Sequence, residues 1–318
     1  MAIVRATKFQ TGVHVNEEDL LPSDLRCPLC FDADERRSVL LLQAQPDVHL
    51  LRCCKCGGYS ASRLPTVETL SRYYGGYYRL SDHTVTCDNP RAFAKHVLNY
   101  AGPFLNERSI AILDFGGGGG DLSKVIAGLL LAKGSSNVHV DVVDYNGDLA
   151  RTESPAITVE PHKTLTEVKG RQFNLVLASA VLEHIRFPRQ VLIDLLLSVK
   201  PGGVFYARTP SVAPIMRILK FLGLSYDFTF PGHIHDLGQA FWEQVPRAVE
   251  SETGPLRMIS SRPSIVETSF SHNAIRTVAA YALKAPWYFW GSRYRLVGGW
   301  EVVIGRPPAM CALPGEPV

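Results

Sequence analysis

Five consecutive glycines, residues 116–120, impose the strongest constraint on how this chain can fold. They follow the short apolar run of residues 109–115 and precede a stretch with helical spacing that begins at Asp121. Glycine has no Cβ atom, so such a turn lets the backbone approach a ligand closely. A strand, a glycine turn and a helix in this order predict an α/β fold with a ligand at the carboxyl edge of its sheet.

Two well-defined glycine-rich motifs do not match this turn. A dinucleotide-binding fold has G-x-G-x-x-G or G-x-G-x-x-A, but the third position here falls on Asp121, Leu122 or Ser123. A phosphate-binding P-loop has G-K-[ST] at the start of its helix, whereas Gly120 is followed by Asp121. The spacing therefore disfavours both NAD and a nucleoside triphosphate as the ligand.

The rest of the chain alternates short apolar runs with helical stretches, which is typical of a mainly parallel sheet covered by helices. Its 318 residues, of which 46% are apolar, suit one such domain plus a small module. We predict strands at residues 109–115, 138–144, 157–160, 173–178 and 204–209, helices at residues 121–133 and 188–199, and a closing antiparallel pair at residues 256–260 and 300–305. Asp236 is predicted to cap a helix that continues through Phe241 and Trp242.

The glycine turn carries a family resemblance. Asp114, Gly116, Gly118 and Gly120 match the D-x-G-x-G-x-G motif of the class I S-adenosylmethionine (SAM) dependent methyltransferases. The resemblance covers roughly residues 90–210 and implies the fold class of that family, a Rossmann-like α/β domain with a seven-stranded sheet. The later motifs follow in the family's order. Residues 173–185 resemble its fourth-strand motif, with Asn174 where Asp is usual, and residues 201–203 resemble the turn before its fifth strand.

The same resemblance implies which residues bind the SAM cofactor. Asp144 matches the acidic residue that ends the second strand and binds the ribose hydroxyls, work that suits a carboxylate because it accepts two hydrogen bonds. The cofactor-binding set implied in this way is Asp114, Gly116, Gly118, Gly120, Asp144 and Glu183. The sequence departs from the family at Gly117, where Cys is frequent, and at residues 160–162, where an adenine-contacting acid is common. The adenine contacts are therefore not assigned.

Paired cysteines near the N-terminus indicate a metal site. Cys27 and Cys30 form one C-x2-C pair, and Cys53 and Cys56 form a second, which is the spacing of a zinc ribbon. Four thiolates would leave no open coordination position, so the predicted Zn²⁺ is structural. Cys54 competes with Cys53 for one place, although only Cys53 has the two-residue gap to Cys56. The alternative is a group of buried free thiols.

Three histidines are candidates for contact with a methyl acceptor. His184 follows Glu183 near the end of the fourth predicted strand, and His233 and His235 lie just before a predicted helix. Methyl transfer is an in-line displacement, so a base is needed only where the acceptor must lose a proton. We predict that His233 or His235 contacts the acceptor and that one histidine is the base. Alternatively, His184 shapes its loop through backbone hydrogen bonds, or the H-x-H pair binds a metal ion.

The motifs divide the chain into consecutive segments. We predict an N-terminal arm (1–25), a zinc ribbon (26–62), an aromatic linker (63–89), a SAM-dependent methyltransferase domain (90–306) with substrate-side insertions at 211–235 and 263–298, and a tail (307–318). The linker contains tyrosines between residues 73 and 78, which either line a ligand pocket or pack between the two modules.

Charge and hydropathy limit which classes of partner and which cellular location are expected for the chain. The net charge is only +3 and no run of Lys or Arg stands out, so nucleic acid is not favoured as a partner. No stretch has the uncharged length needed to cross a bilayer, and the start lacks the apolar core of a signal peptide. We therefore expect a cytoplasmic protein without a membrane partner, and the sequence gives no indication of its oligomeric state.

The combination of a cysteine module and a SAM domain is similar to that of bacterial sugar C-methyltransferases, which are longer at the C-terminus. This resemblance implies methylation of a small molecule on oxygen or carbon, with a sugar nucleotide or natural-product intermediate as the acceptor. Two alternatives stay open. One is an RNA methyltransferase that uses the ribbon to bind RNA, and the other is a non-catalytic scaffold.

Overall fold

A computed structural model describes residues 11–33, 35–80, 89–145, 154–268 and 270–308, together with the backbone of residues 3–4. Within these ranges the side chains of residues 76–80 and 272 are not described. Parts of the predicted arm, of the aromatic linker and of the tail therefore lie outside the described residues. The described chain forms a seven-stranded sheet, a four-stranded sheet and a two-stranded sheet.

The strands in chain order are β1 (Ile3–Val4), β2 (Arg36–Gln43), β3 (Val48–Cys53), β4 (Tyr59–Ala61), β5 (Ser109–Phe115), β6 (Asn137–Val143), β7 (Ile157–His162), β8 (Phe173–Ser179), β9 (Val199–Ser211), β10 (Ser225–Tyr226), β11 (His235–Asp236), β12 (Arg257–Pro263) and β13 (Gly298–Gly305). The α-helices are α1 (Val67–Leu80), α2 (Pro90–Ala101), α3 (Asp121–Ala132), α4 (Pro188–Ser198), α5 (Ala213–Phe221), α6 (Gln239–Trp242), α7 (Val245–Ala248), α8 (Glu250–Thr253), α9 (Phe270–Lys284) and α10 (Trp287–Trp290).

The large sheet has the strand order β12-β13-β9-β8-β5-β6-β7. All pairings among β5, β6, β7, β8 and β9 are parallel, whereas β13 is antiparallel to both β9 and β12. This confirms the predicted Rossmann-like seven-stranded sheet and its closing antiparallel pair. The chain order reverses between β5 and β8, and parallel sheets bind ligands in the crevice at such a reversal. The glycine turn follows β5 at this point.

Alternating side chains of β5 supply the two sides of the core. Ile112 belongs to the apolar cluster under α2 and α3, whereas its neighbour Leu113 belongs to the cluster on the opposite face. β8 is buried along almost its whole length, as expected for a central strand covered on both faces. This double cover explains why its sequence is apolar except for Ser179 at its end and Asn174, whose Oδ1 accepts a hydrogen bond from the N–H of Ala111.

The fifth parallel strand is longer than the sequence predicts. β9 begins at Val199, so the Pro-Gly-Gly segment lies inside the strand as an irregularity rather than before it. Gly202 has φ +83°, and the pairing of β8 with β9 shifts register between Phe173 and Leu175. Glycine tolerates this conformation without the steric cost of a Cβ atom.

The predicted cap at Asp236 is wrong. Asp236 lies in β11, and α6 begins after Gly238, whose residue type offers no side-chain cap. Its carboxylate instead accepts hydrogen bonds from the N–H groups of Val212, at 2.9 and 3.1 Å, and Ala213, at 2.6 Å. These are orphan donors at the start of α5, so Asp236 stabilises a helix that precedes it by more than twenty residues.

β11 also joins the two modules of the chain. It pairs antiparallel with β4 and so extends the small sheet to the order β11-β4-β3-β2. Its residues come from the segment after β9, whereas β2 to β4 belong to the cysteine-rich module. The module and the large domain therefore share one hydrogen-bonded sheet.

Both predicted insertions leave the large sheet at the edge that carries the glycine turn. Ser211, the last residue of β9, pairs with Gly298, and Pro263 at the end of β12 pairs with Trp300. The insertions contain α5 and α9 with α10, so they are more regular than their weak sequence pattern indicates. α9 is interrupted at Asn273, where φ is −157°. No helix in the described part of the chain is long and apolar enough to cross a membrane.

Candidate functional site

The glycine turn adopts a backbone that side chains would not permit. Gly116, Gly118 and Gly120 have φ values of +71°, +55° and +73°, in the left-handed region that favours glycine. Gly117 is required for a different reason, because a Cβ atom there would lie 2.4 Å from the carboxyl carbon of Asp114. The turn therefore presents bare backbone at the end of β5.

Asp144 lies directly beside this turn. It follows β6, the parallel neighbour of β5, and its Oδ2 accepts a hydrogen bond of 2.7 Å from the N–H of Gly118. Its own N–H donates to the carbonyl of His162 at the end of β7. The structure thus brings together the glycines and the carboxylate that the family motif assigns to the cofactor.

Asp114 is buried beneath the turn. The pKa of its carboxyl group is raised to about 6, mainly by burial and also by the nearby Asp144, against hydrogen bonds from Ser123 that lower it. Oδ2 of Asp114 has no hydrogen-bond partner among the described residues. An orphaned acceptor costs free energy until a donor reaches it. The bare turn, this acceptor and the Asp144 carboxylate fit the cationic amino-acid end and the ribose of SAM.

His184 and His233 form a half-buried pair in the segments that follow β8 and precede β11. Their ring centroids are 4.8 Å apart. Nδ1 of His184 lies 2.9 Å from the carbonyl oxygen of Gly232 and 2.9 Å from the hydroxyl of Tyr74. An N–H at Nδ1 donating to the carbonyl leaves the lone pair on Nε2. Burial lowers the pKa of both imidazoles, so both are neutral at pH 7.

Tyr74 belongs to the tyrosine cluster of the predicted linker, to which the sequence assigns no particular contact. It lies in α1 and donates a hydrogen bond of 3.1 Å to Gly232, the same carbonyl that orients His184. Tyr73 packs against Gly232 as well, because a Cβ atom there would lie 2.6 Å from its ring. Tyr74 thus packs edge-on against His184, with Tyr73 beside it, and a role of these tyrosines in lining a ligand pocket stays a prediction.

His235 is not brought to this pair. Its side chain is fully buried, and Nε2 donates a hydrogen bond of 2.8 Å to the carbonyl of Ile185. Burial lowers its pKa to about 4. None of the cation-ligand groups among the described residues includes His235, so His233 and His235 do not act as a chelating pair. A ligand atom of His233 instead lies within 4.8 Å of ligand atoms of Glu183 and His184, an arrangement that could hold a cation.

Glu183 is a buried carboxyl group near an internal arginine. Burial raises its pKa to about 8, and Oε2 has no partner among the described residues. Arg208 lowers that pKa and itself donates to Ser179 Oγ at 3.1 Å and to Glu267 Oε1 at 2.5 Å. Arg208 was not predicted as a site residue. The sequence feature that could have identified Arg208 is an arginine inside the apolar run of β9, since buried charges are retained only where they have partners.

The four predicted cysteine ligands converge. Sγ of Cys27 is 3.8 Å from Sγ of Cys56, and Sγ of Cys30 is 3.8 Å from Sγ of Cys53. Sulfurs about 2.3 Å from a tetrahedral zinc ion lie about 3.8 Å apart, so the set fits Zn²⁺. Cys54 is exposed and outside this group, whereas Cys53 lies inside it.

The cysteine turns pack directly on the large domain. A Cβ atom at Gly58 would lie 2.4 Å from Leu29 and 3.2 Å from Phe241 of α6, and one at Gly57 would lie 2.8 Å from Ala240. Cys27, Cys53 and Cys56 belong to the same apolar cluster as α4 and β8. The cysteine module is therefore part of the main hydrophobic core and not a separately packed, appended domain.

Comparison with known proteins identifies the class to which this arrangement belongs. Residues 87–247, just over half of the chain, match the family described as "Methyltransferase domain". The chain belongs to this family, which agrees with the strand order and with the glycine turn, and its cofactor is SAM.

The chain is also similar to curated methyltransferases over part of its length. It is 31% identical over 124 residues to the ubiquinone biosynthesis O-methyltransferase of Roseobacter denitrificans, covering 37% of this chain and 48% of that protein. It is 30% identical over 135 residues to the same enzyme of Dinoroseobacter shibae, covering 41% and 53%. The chain thus spans about half the length of the curated relatives it matches. Among solved structures, the plantazolicin methyltransferase BamL in complex with SAH has a TM-score of 0.48 at 8% identity, covering 74% of this chain and 92% of that one.

Proposed function

We propose that the protein transfers a methyl group from SAM to a hydroxyl oxygen of a small molecule, such as a sugar nucleotide or a natural-product intermediate. The observation that carries the proposal is a half-buried, neutral His184 that follows β8 at the carboxyl edge of the sheet, the edge at which β5 enters the glycine turn. The curated relatives are O-methyltransferases, which favours oxygen over carbon as the methylated atom.

The chain's own residues supply binding and positioning. The N–H groups of the turn and the carboxylates of Asp114 and Asp144 hold the two ends of the donor, and the buried walls exclude water. Bound SAM supplies an electrophilic sulfonium methyl group. Glu183, with its orphaned oxygen, is proposed as a further contact of the donor.

His184 is proposed as the base that removes the hydroxyl proton. The carbonyl of Gly232 and the hydroxyl of Tyr74 hold its Nδ1, so Nε2 is available to accept a proton. His233, at 4.8 Å between ring centroids, is proposed to contact the acceptor beside it. His235 is left out of the catalytic set, because its buried ring is engaged by Ile185.

The cysteine module, residues 26–62, is proposed to hold a structural Zn²⁺. The support is the tetrahedral spacing of the four sulfurs and the absence of an open coordination position in such a set. A reducing cytoplasm would keep these thiols available to the metal, and we propose that location. A net charge of only +3 disfavours the RNA-methyltransferase alternative.

The experiment is a methylation assay with labelled SAM and a panel of sugar nucleotides, phenols and RNA. We expect label in a hydroxyl-bearing small molecule, and His184→Ala should lower kcat by about 100-fold or more without changing SAM affinity by calorimetry. His14→Ala, at an exposed histidine of the N-terminal arm, is the matched control. Label confined to RNA would refute the acceptor class, and no uptake of SAM would revive the scaffold alternative.

A further inference from the structure

The outer surface of the second insertion is unusually apolar. Large side chains of α9 and α10 that are each more than half exposed are Phe270, Ile275, Val278, Tyr281, Tyr288, Phe289 and Trp290. Isolated exposed apolar residues are normal, but a contiguous group of this size marks an interaction surface. We call these seven residues the α9–α10 face.

The exposed side of α9 carries no charge among the side chains that are described. Its exposed positions are Phe270, Ser271, Ala274, Ile275, Val278, Ala279, Tyr281 and Ala282. Ala274, Ile275, Val278 and Ala279 together line a shallow depression. A helix that faces water carries charged or polar residues on its outer side, so this side is built for a partner.

The charged residues of the segment that carries this face have one sign. The sequence from residue 268 to residue 300 contains no Asp or Glu, but it contains Arg276, Lys284, Arg293 and Arg295. Lys284 is turned inward and donates hydrogen bonds to the carbonyls of Ser264 and Ile265. Arg293 and Arg295 are exposed next to the aromatic residues of α10.

We propose that the α9–α10 face docks the protein on the surface of an anionic lipid bilayer. Trp, Tyr and Phe beside arginines suit the headgroup boundary, where aromatic rings enter the apolar layer and guanidinium groups meet lipid phosphates. A second copy of the chain suits the face less well. A two-fold contact would set these arginines against themselves, with no carboxylate in the segment to compensate.

The segment that carries the face is attached at a defined edge of the large sheet. Residues 264–297 leave the sheet at the edge where β9 ends, which is also the edge of the glycine turn. The segment that carries the face therefore begins and ends at the edge of the sheet that also carries the site. The expectation of no membrane partner rested on the lack of a spanning segment, but surface docking requires only exposed apolar and basic groups.

Vesicle co-sedimentation tests the proposal on the full chain. Binding is expected to vesicles of phosphatidylcholine with phosphatidylglycerol, to weaken with added salt, and to be at least tenfold weaker for phosphatidylcholine alone. Replacing Arg293 and Arg295 by Gln should weaken binding to the anionic vesicles by about fivefold for each arginine.

Variants at apolar positions distinguish binding through the α9–α10 face from nonspecific hydrophobic adsorption. Phe289→Ser with Trp290→Ser should reduce vesicle binding at least tenfold, whereas Leu25→Ser, at an equally exposed position near the cysteine module, should leave it unchanged. Both variants alter exposed side chains, so circular dichroism and SAM affinity should match the parent chain. SAM affinity also keeps this test apart from the methyl-transfer proposal.

Three results would overturn the proposal. One is no binding to anionic vesicles, and another is binding that the Phe289 and Trp290 variant leaves intact. The third is a dimer in sedimentation velocity that the same variant dissociates, since a second copy would then occupy the face. Brominated lipid should quench the fluorescence of Trp290 if its ring enters the bilayer. Loss of that quenching in Trp290→Phe, with vesicle binding retained, would assign the quenching to this ring.

Discussion

The carboxylate of Asp144 accepts a 2.7 Å hydrogen bond from the backbone N–H of Gly118. This contact joins the end of one parallel strand to the glycine turn that follows its neighbour. A charged acceptor on a backbone donor is among the stronger protein hydrogen bonds. Asp144 therefore helps to hold the turn open for the donor that it is proposed to bind.

Gly117→Ala should weaken SAM binding only because the new methyl group displaces the Asp114 side chain. Gly117 lacks the positive φ of its neighbours, so alanine fits its backbone, but the new Cβ would lie 2.4 Å from the carboxyl carbon of Asp114. We expect the Kd for SAM to rise at least tenfold by calorimetry. Gly128→Ala in α3 meets open space and should stabilise the protein by about 0.5–1 kcal/mol. Equal SAM affinity in the two variants would contradict the role given to Asp114.

Asp144→Ala should raise the KM for SAM about 10- to 100-fold, because a charge-assisted hydrogen bond contributes about 1.5–3 kcal/mol. The effect on kcat should be smaller, since Asp144 is proposed to hold the ribose rather than the reacting atoms. Asp194→Ala, at an exposed position of α4, is the control. Steady-state kinetics separates the two parameters, and a loss confined to kcat would remove Asp144 from the binding set.

The parts of this fold that the sequence predicts are those with a local cause. The strand β5, the glycine turn and α3 follow from hydrophobic period and from glycine itself, and their bounds match to within one residue. The cysteine pairs predict their own convergence because each lies on one tight turn. Asp144 is predicted because it matches the family's acidic residue at the end of the second strand.

The parts that the sequence does not predict depend on distant contacts. Asp236 has the residue type of a cap, but tertiary pairing with β4 draws it into a strand and its carboxylate to α5. His235 resembles a site histidine in sequence and is buried by the same pairing. Tyr74 reaches His184 across more than a hundred residues, and no local pattern encodes that approach.

Cys30→Ser should remove zinc and destabilise the whole chain. Three thiolates hold the ion less tightly than four, and the cysteine turns pack on α6 within the main core. We expect loss of about one zinc per chain by elemental analysis and a lower Tm that is common to both modules. Cys54→Ser changes a cysteine outside the group and should keep the metal. Zinc retained in the first variant would refute the assigned ligand set.

Asp236→Asn should flatten the dependence of stability on pH. Burial raises the pKa of the Asp236 carboxyl group from 3.8 to about 7, against the lowering effect of the N–H groups of Ala213 and Val212. Between about pH 4 and 7 the folded chain keeps a proton that the unfolded chain has released. The contribution of Asp236 to stability is therefore complete below about pH 4 and is lost as the pH rises to about 7.

An asparagine at position 236 can still accept from Ala213 but does not titrate. Relative to the parent chain, the variant should therefore gain free energy of unfolding between pH 5 and pH 8, by up to about 3 kcal/mol. Urea unfolding at the two pH values measures this difference, and comparison of the two chains removes the contribution of Asp114, which both share. Asp194→Asn should keep the pH slope of the parent chain. If Asp236→Asn keeps it too, the Asp236 carboxyl group is ionised in the folded protein throughout this range.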